Sequence, residues 1–194
     1  MAAHQETSGT PARDRILASA YALFSQHGVR AIGIDAIIKH SGVARMTLYR
    51  NFTSKSELVL AFLRERAQRW TLGWLQEEVT RRAETSHERL LAIFDVFDEW
   101  FGRQDFEGCS FINVMLETAD STSPIHKASV AHLAEIRSFL RSLATGAGVR
   151  DPDDFSRKWH ILMKGSIVAA SEGDRGAARR GQAMGRMLLE TERR

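Results

Sequence analysis

Residues 28–58 read GVRAIGIDAIIKHSGVARMTLYRNFTSKSEL. Two short helices stand here, about Ile34–Ser41 and Ala44–Asn51, around a Gly42-Val43 corner. Ile34, Ile37 and Ile38 give the first an apolar face, and Val43 and Leu48 give the second something to bury. Gly42 suits a tight, closely packed corner. Arg45, Thr47, Tyr49 and Arg50 are then left for the outer surface of the second helix. A rigidly held helix carrying such donors fits the major groove of DNA, which admits one helix. Arg45 and Arg50 also read as solvated surface charges, and Tyr49 as a half-buried core residue, if these residues are taken alone. Ser54-Lys55-Ser56-Glu57 is a capping box. It places Lys55 in a helical first turn, where free N–H groups and an ammonium together suit a phosphate.

Outward from this segment the periodicity stays helical, with no alternating run that would make a strand. Thr10-Pro11 opens a first helix, with Thr10 as cap and Pro11 at the first helical position. Ile16, Ala20, Leu23, Phe24 and His27 form its stripe, and Gly28 closes it in a left-handed conformation. The capping box at Ser54 starts a long helix to about Arg82, and Thr85-Ser86-His87-Glu88 repeats the device. A short helix over Phe111 to Thr118 follows, then one opened by Ser123-Pro124, one opened by Asp151-Pro152-Asp153-Asp154, and a last one beyond Gly173-Asp174. The expectation is an all-α chain of about nine helices. It divides into a flexible tail over 1–10, a three-helix helix-turn-helix unit over 11–53 and a larger helical domain over 54–194.

Composition sets the outer limits. The 194 residues are 43% hydrophobic and 26% charged, as globular domains are. No apolar run approaches the ~20 residues that cross a bilayer, so no membrane association is expected. Residues 1–10 hold no apolar core of the signal-peptide kind, which gives a cytoplasmic expectation. The single cysteine, Cys109, excludes an internal disulfide and a cysteine-based zinc cluster. The net charge of +3 is unevenly spread. Residues 1–55 carry seven Lys and Arg against Glu6, Asp14 and Asp35, and the remainder carries 20 against 21. A basic module on a near-neutral body suits a polyanionic partner, although an excess this small also arises by chance. Lys39 and His40 read as surface residues, and Arg13, Arg15 and Arg30 either steer DNA from outside the motif or are ordinary surface charge.

The segment resembles the N-terminal domain of TetR-family transcriptional repressors. The matching residues are Gly28, Gly42-Val43, Thr47-Leu48-Tyr49, Phe52, Lys55, Glu57 and Leu58, in the family's spacing, over about residues 12–60. The resemblance implies a DNA-binding head, a homodimer, a double-stranded operator as partner and a C-terminal pocket for a small-molecule effector of unknown identity. It places Thr47 on the recognition helix facing DNA, Tyr49 and Lys55 at phosphates and Arg45 at a base or phosphate. Phe52 and Leu58 should pack the head. Ile32-Gly33 and Ala44 stand where hydroxyl caps are frequent, at a cost of about 0.5–2 kcal/mol per lost cap. Met46 replaces a frequently small residue and suits a thymine methyl.

In the larger domain, Phe94, Phe97, Trp100, Phe101, Phe106 and Phe111 line either a ligand cavity or an ordinary core. Asn113 and Glu117 share one face of a short helix, and a buried carboxylate there needs a partner, either an internal Arg or a cationic ligand. Trp159, His160 and Met163 join them as candidates. The expected effector pocket is therefore Phe94, Phe97, Phe101, Phe111, Asn113, Glu117, Trp159 and Met163. Cys109 lacks a resolving partner and reads as structural. The last two helices carry Gly165, Ala169, Gly181 and Gly185, with Val168, Met184, Met187 and Leu188 adding apolar surface. Glycine inside a helix costs ~1 kcal/mol relative to Ala, which close helix approach offsets. The expected dimer interface is Gly165, Ala169, Gly181, Met184, Gly185 and Leu188; packing within one chain is the alternative. The seven histidines show no metal-ligand spacing such as HExxH, so neither metal nor cofactor nor enzymatic activity is expected. A helical interaction protein with a decayed head is the remaining rival, and the intact Thr47, Tyr49 and Lys55 oppose it.

Overall fold

A computed structural model describes residues 11–192. The elements are α1 (Ala12–His27), α2 (Ile34–Ser41), α3 (Arg45–Asn51), α4 (Lys55–Arg66), a π-helical stretch (Ala67–Leu75), α5 (Gln76–Arg82), α6 (Ser86–Phe101), α7 (Ser110–Glu117), α8 (Pro124–Gly146), α9 (Pro152–Ser171) and α10 (Ala177–Glu192). Taking residues 55–82 as the single long helix expected, the described residues hold nine helical rods and no strand. The expected tail over 1–10 and the Thr10 cap lie outside the described residues. Contacts group the chain into two compact units, 1–62 and 63–194. The first turns of α4 thus go with the helices before them, because Leu58 and Phe62 are fully buried there.

Unit 1 is built on α1, with α2 and α3 packed against it. Ile16, Ala20 and Phe24 of α1, Ile37 of α2, Leu48 of α3 and Phe52 are all buried. Phe62 receives the edges of Tyr21 and Phe24 at 5.5 and 5.6 Å. Each large side chain buried this way contributes about 1.5–3 kcal/mol. His27, the last residue of the expected stripe, is exposed instead. Pro11 stands one position earlier than expected, as N-cap, and its carbonyl accepts from Asp14 and Arg15. Gly28 does have positive φ, but with ψ 158° it is extended rather than left-handed helical. Gly42 has φ 66° and ψ 23°, the left-handed cap that turns α2 into α3.

Unit 2 contains an element with no sequence signature. The long helix passes through nine residues of π-helix, Ala67–Leu75. Gly73 marks the wider turn: a Cβ there would lie 2.9 Å from the Gln68 carbonyl oxygen. Trp70 and Trp74 in this stretch both contact Trp100, with centroids 5.1 and 6.2 Å away. Trp100 in turn meets Phe106 edge-on at 4.9 Å. The aromatic layer therefore combines the expected Phe97, Trp100, Phe101 and Phe106 with two tryptophans from the preceding helix. Arg82 ties α5 to α6 through a two-pronged bond to Glu99, 2.6 and 2.9 Å, while also holding Glu78. The bonds that Arg81 and Arg82 give Glu78 hold its carboxyl pKa down to about 2.

Candidate nucleic-acid interface

The helix pair at residues 34–51 is pinned from one side. Val43, Leu48 and Phe52 are buried, so the opposite face of α3 is turned outward. Met46 is 66% exposed and Tyr49 38%. Arg45 and Arg50 are exposed, and Thr47 is half-buried. The α3 hydrogen-bond pattern is reinforced by Asn51, whose amide donates to the Thr47 carbonyl at 2.8 Å. Neither Gly33 nor Ala44 supplies a side-chain cap, as their chemistry dictates. Arg45 instead pairs with Asp35 in the first turn of α2, joining the two uncapped helix starts. Both side chains are largely exposed, so the pair contributes at most about 1 kcal/mol and yields readily to a phosphate. No sequence signal marks this partner, because a spacing of ten residues across a corner has no fixed geometry.

Lys55 is half-buried at the first position of α4. The Ser54 hydroxyl accepts from the Glu57 amide at 3.1 Å. The carboxylate of Glu57 reaches back one residue further than the expected box, accepting from the Thr53 amide at 2.7 Å and its hydroxyl at 2.8 Å. Arg13 is not simply a solvated charge: its guanidinium lies 5.0 Å over the Phe52 ring.

The expected effector residues divide. Phe94, Phe97, Phe111, Trp159 and Met163 are buried. Phe94 meets Phe97 at 6.1 Å and Trp159 at 5.5 Å, whereas Phe111 packs on His132 at 5.1 Å. Phe101 is half-exposed and borders a concavity of about 470 Å³ with Asp98, Asp174, Arg175 and Arg179. Asn113 is not part of a buried polar pair. It is exposed, and its amide reaches the Glu107 carbonyl at 3.4 Å, while Glu117 is half-buried. α7 turns Ser110, Phe111 and Val114 inward, which leaves Asn113 on its outward side. His160 is buried at 3% exposure, and its Nδ1 has no hydrogen-bond partner; the indole nitrogens of Trp70 and Trp159 share that condition. Burial, with the nearby charges of Lys164 and Arg137, lowers the His160 pKa to about 3, so the imidazole is neutral near pH 7. Cys109 is a buried free thiol whose pKa burial pushes up, as a structural cysteine's would be.

The small residues of the last helices serve two ends. A Cβ on Gly185 would lie 2.7 Å from Trp159 Cη2, and one on Gly181 would strike Ser166 and lie 2.6 Å from Phe94 Cε1. These two glycines therefore let α10 close on α6 and α9 within one chain, which corrects their expected place in a dimer interface. Gly165 has open space around it. Among the described residues no cluster of three His, Cys, Asp or Glu is placed to hold a metal ion.

The family model for bacterial regulatory proteins of the tetR family matches residues 16–62, the whole of the pinned helix pair and its supports. Over these residues the chain is similar to the regulators of the tetR family. The E. coli K12 HTH-type transcriptional regulator UidR is 30% identical over 115 residues, which are 59% of this chain and 44% of UidR. This chain thus matches less than half the length of that relative. A TetR-family transcriptional regulator from Streptomyces coelicolor superposes with a TM-score of 0.84 at 26% identity, over 94% of this chain and 90% of its own. For sav143 of Streptomyces avermitilis MA-4680 the TM-score is 0.83 at 28% identity, over 94% and 98%. The TetR-type fold accordingly extends through both units. Among the described residues no helix is long and apolar enough to cross a membrane.

Proposed function

We propose that this chain is a cytoplasmic, homodimeric TetR-family repressor of transcription that leaves its operator when a small molecule binds unit 2. The observation that carries the reading is α3: Arg45, Met46, Tyr49 and Arg50 face outward while Leu48 anchors the helix from behind. Two such helices on a dimer would enter successive major grooves, ~34–36 Å apart. Effector binding weakens DNA affinity by the effector's differential affinity for the two states, and by no more.

The test is a mobility-shift titration against the DNA upstream of the chain's own coding sequence. Tyr49→Phe and Lys55→Ala each weaken binding to all sequences by about tenfold, and the salt slope of Lys55→Ala falls by about one. Arg45→Ala weakens binding and also relaxes base preference at one position. Wild-type affinity in all three variants removes α3 and the start of α4 from the contact surface.

The dimer rests on a second observation. Ile161, Gly165 and Val168 lie on one face of α9, with Ile161 66% and Val168 50% exposed. Met184 and Met187 of α10 are 52% and 60% exposed, and Leu188 and Ala169 are half-buried beside this apolar set. A two-fold contact between such faces gives a four-helix interface. Light scattering at micromolar concentration gives a dimer mass for the wild type and a monomer mass for Ile161→Glu; a monomeric wild type refutes the assembly.

A further inference from the structure

Unit 2 holds two half-buried cations, Lys164 and Arg137, that no carboxylate among the described residues neutralises. Lys164 of α9 and Arg137 of α8 make no hydrogen bond and no ion pair among the described residues. Several basic groups of this unit are matched: Arg66 has Glu107 at 4.0 Å, Arg82 has Glu78 and Glu99, and Lys158 has Asp154 and Glu192. His160 lies one helical turn before Lys164 on the same face of α9, which packs along α8. Its buried Nδ1 is one of the few orphaned side-chain nitrogens. Buried polar groups are normally satisfied, so an orphan beside unpaired cations calls for a missing acceptor.

The charges acting on these groups agree. Burial and the charge of Arg137 both lower the Lys164 pKa, and the opposing group is the Cys109 thiol rather than a carboxylate. At Cys109 burial outweighs the amides of Ile112 and Phe111 and the charges of Arg66 and Lys164, so the thiol is pushed up and supplies no counter-charge. Met163 supplies an apolar neighbour, buried at the next position of the same helical face. A folded arrangement that crowds positive charge with no internal counter-ion is relieved by an oxyanion from outside.

We propose that Lys164 and Arg137, with the Nδ1–H of His160, form the anion-recognising end of the effector site, so that the effector carries an oxyanion group, carboxylate or phosphate. This rests on the reading of unit 2 as the effector domain.

The experiment measures thermal stability and direct binding of the full chain with sodium phosphate, sodium decanoate and the neutral decanamide, at constant ionic strength in chloride. A saturable rise in Tm with an anion and none with decanamide is expected. Response to decanoate alone assigns an organic acid, and response to phosphate alone assigns a phosphate ester. Lys164→Met weakens anion binding by about tenfold. Its ligand-free Tm is at or above that of the wild type, because an unpaired cation has been removed. A purely structural Lys164 would give the reverse: a lowered Tm with the anion response kept. In the wild type, the His160 Nδ1 resonance shifts during the anion titration, a readout independent of any variant. Equal stabilisation by decanamide, an unmoved His160 signal, or no response to either anion overturns the proposal. An anion that binds through Lys164 but leaves the mobility shift unchanged supports the site and refutes release by it.

Discussion

Phe52→Ala unfolds unit 1 while unit 2 stays folded. Phe52 is fully buried between the end of α3 and the start of α4, and the Arg13 guanidinium covers its ring. Truncating a buried Phe costs about 3–5 kcal/mol, from the lost transfer energy and the cavity left behind. The stacked cation adds roughly 0.5–1 kcal/mol. A unit of this size has a total stability on the order of 5 kcal/mol. The loss therefore approaches the whole margin, and two helix starts without side-chain caps leave little in reserve. Hydrogen exchange should show amides of residues 12–62 losing protection while those of α6, α9 and α10 keep theirs. DNA binding disappears with the unit. Phe52→Leu, which keeps most of the volume, costs less than about 1.5 kcal/mol and retains binding. Unchanged protection in Phe52→Ala would show that α2 and α3 hold without it.

Gly181→Val destabilises unit 2 by about 1–3 kcal/mol, the usual range for overpacking. The first added carbon already meets Ser166 and lies 2.6 Å from Phe94 Cε1. Neither neighbour has room to retreat: the Ser166 hydroxyl donates to the Leu162 carbonyl at 2.9 Å, and Phe94 is wedged between Phe97 and Trp159. The contrasting variant is Gly165→Ala, on the facing helix. Open space surrounds Gly165, so the substitution gains up to about 1 kcal/mol of helix propensity in the folding of the monomer. Urea denaturation of both variants in the Ile161→Glu background compares them without the dimer. The same sign for both would show that helix propensity, not close approach, decides these positions.

The cap residues and helical spacing made most elements legible. Thr85 with Glu88, Ser123 with His126 and Asp151 with Asp154 form the side-chain-to-backbone bonds their residue types announce. These are local interactions, complete within four residues. The outward face of α3 was legible for the same reason, since Leu48 fixes which side is in. Asn113 and the two glycines of α10 were not. Whether a small or polar residue faces core, solvent or another chain depends on which helix lies opposite, and spacing carries no information about that.

The sequence by itself determined the helices, the corner at Gly42 and the outward Arg45, Tyr49 and Arg50, though not the half-buried Thr47, because capping bonds and a 3.6-residue period act over a single turn. Only the tertiary structure decided the π-helical Ala67–Leu75, the pairing of Arg45 with Asp35, the burial of Gly181 and Gly185 against Phe94 and Trp159, and the unpaired Lys164 and Arg137 beside His160. Each of these depends on groups far apart in the chain, or on the fit of several large rings. Their free energy is fixed by distance and burial in the folded state, quantities that no local pattern of residues encodes.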